Sequence, residues 1–161
     1  MSNLLPENYA WVFGGLFATF VANITLIGGV AAARKKYKIK LPTLYADASH
    51  ISDKNTNCKS QADVDAYNSA QRAHQNTLEN LSTTQLFGAL SGLMFPRFAG
   101  SCLVIYSVGR VLYGRGYRSD GPSGRMVGSL ISHLGDLPLA LSMAYCAAAM
   151  AGYANPAGPF Q

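Results

Sequence analysis

An arginine, an amide and a carboxylate stand at Arg72, Asn76 and Glu79, four and then three residues apart, so on a helix all three project from one face. A guanidinium forks onto carboxylates, a carboxylate holds an ammonium, and an amide does either task more weakly. Together they suit a small zwitterion; the plainer alternative is that Arg72 and Glu79 pair with each other inside a helical bundle. A second group, Arg110, Tyr113 and Tyr117, has steps of three and four and again shares a face. Here too a plain alternative stands, an interfacial aromatic belt with a snorkelling arginine. Cys58, Cys102 and Cys146 form an odd set without CxxC or Cys/His spacing, so no metal site is expected. Cys102 and Cys146 lie in apolar runs and are expected to pack, whereas Cys58 is expected to be a plain loop thiol.

The elements that must carry these faces are apolar. Charged residues make up 13% of the chain, about half the ~25% of an ordinary soluble domain, against 49% hydrophobic residues. At 161 residues the chain is read as one domain. Trp11 to Ala33 is free of charge for 23 residues, longer than the ~20 needed to span a hydrocarbon core. It is read as a retained membrane helix and not a signal peptide, because its basic cluster follows it. Asn80 to Phe95 is likewise uncharged and directly follows the first polar face. The pattern predicts an all-α fold, an integral membrane bundle of four transmembrane helices over about 8–34, 65–95, 98–117 and 123–153. Residues 35–64 are expected to form a solvated loop without a periodic apolar face, and Gly and Pro near the C-terminus predict a frayed tail.

Charge placement fixes an expected orientation. With four spans, 12 of the 13 Lys and Arg residues gather on one side and only Arg97 lies opposite. By the positive-inside rule that side faces the cytosol, and both polar faces meet at its boundary. The formal net charge of +5 is not read as nucleic-acid binding, because no basic-aromatic reading surface accompanies it. Asp136 falls on the same face of the fourth helix as Arg125; a bond to a neighbouring helix is expected for it, with a relay through His133 as the alternative.

Arg72-Ala73, Asn76 and Glu79, followed by Arg110, Tyr113 and Tyr117, resemble the two motifs of the MAPEG family, the membrane-associated proteins of eicosanoid and glutathione metabolism. The basic end of the first helix at Arg34 and the arginine at Arg125 also fit, and the likeness runs over roughly residues 8–150, closest to the family's type-three microsomal glutathione transferase branch. His74, Asn80 and Lys35 depart from the pattern of the family's leukotriene synthases. The resemblance implies a homotrimer that binds glutathione as co-substrate between subunits. Arg72, Asn76, Glu79, Arg110, Tyr113 and Tyr117 would come from one subunit and Arg34 from the next, with Arg125 stabilising the thiolate. It implies transferase or peroxidase activity on lipophilic electrophiles or lipid hydroperoxides drawn from membrane lipid, at the endoplasmic reticulum or the outer mitochondrial membrane. The same family implies an alternative, a non-catalytic lipid-binding scaffold of the lipoxygenase-activating type. A small channel fits the span count, but polar faces at one boundary do not line a path through a bilayer.

Overall fold

The computed structural model describes residues 5–155. Every regular element among them is helical: α1 (Ala10–Tyr37), α2 (Ser49–Ser52), α3 (Gln61–Ser91), α4 (Pro96–Gly124) and α5 (Met126–Met150). The four long helices follow the expected order, with shifted ends. The Arg34-Lys35-Lys36 cluster lies on the last turn of α1, where cations meet the negative end of the helix dipole. The turn between α3 and α4 falls at Gly92–Phe95, and Pro96 takes the first position of α4, where its missing N–H costs nothing. α4 also runs past Tyr117 and breaks at Gly121, whose φ of 66° suits a residue without a Cβ; Pro122 follows. The expected tail beyond Asn155 lies outside the described residues.

α1 and α5 are each long and apolar enough to cross a membrane. α3 and α4 do not pass that test, because the polar faces interrupt their apolar runs. α4 lies at the centre, packed against α5, α1 and α3, and α1 does not meet α5 among the described residues. Large apolar side chains face outward along both flanking helices, among them Phe13, Phe17 and Phe20 on α1 and Leu130, Leu134 and Leu141 on α5. The inward stripe is made of smaller residues.

On α1 that stripe is Val12, Gly15, Thr19, Ala22, Leu26 and Gly29, and on α5 it is Gly128, Ser132, Gly135, Leu139, Ser142 and Cys146. The steps alternate three and four, the seam of left-handed helix packing, and small residues let the backbones close up. A Cβ on Gly128 would sit 2.0 Å from the Tyr113 backbone nitrogen, and one on Gly109 would sit 2.3 Å from that of Ser132. With lipid outside and small residues inside, helix association rests on packing and on hydrogen bonds across the seam. Gln85 Nε2 donates to Thr19 Oγ1 at 2.7 Å, and the His74 ring meets Asn23 Oδ1 at 3.2 Å. His74, a departure from the synthase pattern, thus ties α3 to α1.

The segment between α1 and α3 corrects the expectation of a solvated loop. Tyr37, Ile39, Ala46, Cys58, Val64 and Tyr67 form a small core of their own, backed by Ile51 of α2. Sequence periodicity could not reveal it, because its apolar residues come one at a time from separate turns. Its backbone is held as well as its side chains. Arg34 donates to the carbonyls of Ile39 (3.4 Å) and Thr43 (2.9 Å), and Gln71 Nε2 donates to Leu44 O at 2.7 Å. The Asn68 amide makes two 2.9 Å bonds, giving to Ala46 O and accepting from Ala46 N. Cys58 is correspondingly 3% exposed, a packed thiol and not an open one; burial, with Asp63 adding to it, pushes the thiol pKa up.

Candidate functional site

α3 and α4 bring their two polar faces together, and Arg125, between α4 and α5, joins them. The contacts form one unbroken chain. Arg72 Nη1 lies 3.4 Å from Glu79 Oε1, and Asn76 Nδ2 donates to Glu79 Oε2 at 3.2 Å. Arg110 Nη2 donates to Asn76 Oδ1 at 2.9 Å and to Thr77 Oγ1 at 2.7 Å, while its Nε reaches the same hydroxyl at 2.9 Å. The Arg110 guanidinium stands over the Tyr113 ring, 4.2 Å from its centroid. Tyr113 and Tyr117 have ring centroids 5.7 Å apart, and Arg125 lies over Tyr117 at 5.3 Å.

Local sequence explains the arrangement. Steps of three and four keep each set on one helical face, and Ala73 is small enough to let Tyr113 and Tyr117 pack against α3. Arg125 reaches Tyr117 because the chain breaks at Gly121-Pro122 and doubles back so tightly that the Gly116 and Gly124 backbones touch; a Cβ on Gly116 would sit 2.0 Å from Gly124 O. Bulkier residues at either position would open the reversal and carry Arg125 away from the tyrosines.

Electrostatically the two ends differ. Arg72 and Glu79 are both exposed, so their ion pair is loose and open to exchange with a charged ligand. Arg110 is only 5% exposed and forms no ion pair among the described residues: its direct contacts are an amide, a hydroxyl and a ring, and Asp136 and Glu79 act on it only from a distance. A cation kept from water with no carboxylate in direct contact is costly.

A cleft of about 330 Å³ opens beside the exposed end, lined by Tyr45, Asp65, Asn68, Arg72 and Tyr117 among others. That volume is at the lower end of the ~300–1,000 Å³ usual for small-molecule sites.

Seven of the eight site residues expected from sequence, Arg72, Asn76, Glu79, Arg110, Tyr113, Tyr117 and Arg125, thus belong to one constellation. Arg34 does not join them within the chain; it is spent partly on the carbonyls of Ile39 and Thr43 and stands 5.7 Å from the Tyr67 ring centroid. Two participants went unnoticed in the sequence. Thr77 takes two of the three Arg110 hydrogen bonds, and its only signal was adjacency to Asn76. Tyr45 enters from a distant segment and gave no local signal. Asp136 follows the alternative reading: its side-chain contact is to His133 of its own helix at 3.1 Å, while its charge reaches Tyr106 and Arg110 of α4 without a hydrogen bond. Among the described residues no cluster of His, Cys, Asp and Glu could hold a metal ion.

A model of one protein family, the MAPEG family, matches residues 12–151, which takes in the four long helices except the first two residues of α1, and every residue of the constellation.

Proposed function

This chain belongs to the MAPEG family, and from that premise we propose that it is a membrane-bound glutathione transferase with glutathione peroxidase capacity, nearest in kind to the family's type-three microsomal transferases. Membrane association follows from the family and from the two apolar helices. The four-span topology, the homotrimer, the cytosolic orientation of the site and residence in the endoplasmic reticulum belong to the proposal. The observation that carries it is Arg110, a buried guanidinium whose direct contacts are all neutral among the described residues, at the centre of a chain of contacts that ends on Arg125.

In this reading Arg72 and Arg110 receive the carboxylates of the tripeptide, Glu79 exchanges its arginine for the ammonium, and Asn76, Tyr113 and Tyr117 supply neutral contacts. Arg34 of a neighbouring protomer closes the site; its guanidinium has donors beyond the two used on its own loop. Arg125 sits beside the sulfur. A free thiol of pKa ~8.5 is mostly protonated at neutral pH, and a cation at the sulfur favours the thiolate by ~1.4 kcal/mol for each pKa unit of lowering. The S–H bond breaks with its proton passing to water, and the thiolate forms an S–C bond to a lipophilic electrophile as the leaving group departs. With a lipid hydroperoxide the thiolate takes the terminal oxygen and releases an alcohol, and a second glutathione displaces water to give the disulfide.

The test is the thiolate absorbance of the purified protein with saturating glutathione near pH 7. Arg125→Ala is expected to retain binding and lose at least nine-tenths of the thiolate band, and Arg125→Lys to restore part of it. A band of unchanged size in Arg125→Ala overturns the assigned role. One observation favours a second reading, the lipid-binding scaffold: the exposed Arg72–Glu79 pair is already satisfied internally. Absence of glutathione binding by the wild-type protein in detergent decides for the scaffold.

A further inference from the structure

The segment from Pro42 to Asp47 is longer-range in its attachments than any connection between helices needs. Arg34 from α1 and Tyr67, Asn68 and Gln71 from the N-terminal half of α3 all bond to its backbone, at Thr43, Leu44 and Ala46. Four side chains spent on six residues of coil fix that coil in place, since each bond offsets part of the ordering entropy. What the anchoring presents is Tyr45. Its ring stands in the cleft with Arg72 and Tyr117, and its hydroxyl donates to Gln75 Oε1. The Arg72 side chain lines the same cleft, so phenol and guanidinium share one space.

Resting on the glutathione reading above, we propose that the anchored segment is a wall of the substrate site and that Tyr45 binds the tripeptide carboxylate received by Arg72. A carboxylate on Arg72 meets the phenol at the same time, because the two groups line one cleft. The hydroxyl proton then turns from Gln75 to the carboxylate, giving a charge-assisted bond in place of a neutral one. Gln75 is half-buried and its released amide oxygen is open to water. Asp65, two turns before Arg72 on α3 and lining the same cleft, repels the carboxylate and disfavours its moving away from Arg72 and Tyr45. The segment thereby adds an element of substrate recognition that neither polar helix face contains.

The experiment is titration calorimetry of the full-length protein in detergent with glutathione and with glutathione diethyl ester, comparing wild type and Tyr45→Phe. The substitution keeps the ring and its packing and removes only the hydroxyl. Glutathione is expected to bind the variant about tenfold more weakly, the usual consequence of losing one hydrogen bond to a charged group. The diester, which has no carboxylate for the phenol, is expected to change less than twofold. Unchanged glutathione affinity, or equal weakening of acid and diester, overturns the role of Tyr45 while leaving the transferase reading intact. A wild-type protein that binds no glutathione overturns both.

Discussion

Replacing Arg110 by methionine separates a buried arginine kept for a ligand from one kept for the fold. The side chain is 5% exposed, makes three hydrogen bonds to two neutral acceptors and stacks on Tyr113. Losing the bonds to Asn76 and Thr77 costs about 3 kcal/mol at roughly 1.5 kcal/mol for each acceptor. Losing the ring contact costs about 1–2 kcal/mol more. Against this, removing an ion from a dry site returns several kcal/mol of desolvation, and methionine fills most of the volume with adaptable apolar atoms. The terms nearly cancel, and stability is expected to move by less than about 2 kcal/mol in either direction, within about 8 °C in melting temperature for a chain of this size. Ligand binding has no such compensation. Truncating one partner of a buried charged contact typically costs 2–5 kcal/mol, so glutathione affinity is expected to fall at least about thirtyfold. Thermal unfolding in detergent and glutathione titration read the two effects separately. A variant that melts far lower yet binds glutathione like wild type refutes the reasoning, for then Arg110 is a structural post.

Three further outcomes are expected. Gly128→Leu should prevent α5 from closing on α4 and cost more than 4 kcal/mol or abolish folding, because its Cβ would meet backbone at 2.0 Å; Gly14→Leu, with nothing within 4 Å, should be tolerated, as thermal unfolding of both will tell. All three cysteines are buried, so a maleimide should label almost none in the folded protein and all three after denaturation, and rapid labelling of Cys58 in the native state would contradict the packed loop core. Hydrogen bonds from Ser49 first and from His50 next lower the Asp47 carboxyl from 3.8 to about 2. Its contribution to the turn at α2 is therefore complete above about pH 4 and lost as pH falls toward 2; amide exchange at Ser49, whose N–H gives to Asp47 at 2.9 Å, should accelerate over that window and not at pH 5–8.

The chain's own pattern was enough for the order of the long helices and for the two polar faces, Arg72 to Glu79 and Arg110 to Tyr117, since helical spacing alone decides which side chains share a face. Run length also carried the membrane-spanning character of α1, uncharged from Trp11 to Ala33, and of α5, where Asp136 is the one charged residue. The same reasoning misjudged residues 38–60, because their small core is assembled from single residues at Ile39, Ala46 and Cys58 that no period connects. It put the wrong reading of Asp136 first for a related reason: a helix face says where a side chain leaves the backbone and not which neighbour it will meet.

By itself the sequence determined an all-helical chain with apolar outer surfaces and two polar helix faces, because those properties are local and repeat with the turn of the helix. Only the tertiary structure decided that the two faces form one chain of contacts, that Arg110 is buried among neutral partners, and that a coil anchored by Arg34, Tyr67, Asn68 and Gln71 sets Tyr45 beside Arg72. These depend on how closely α3 and α4 approach and on where a loop is tied down, and contacts between residues 27 to 34 positions apart leave no mark on the pattern of either partner alone.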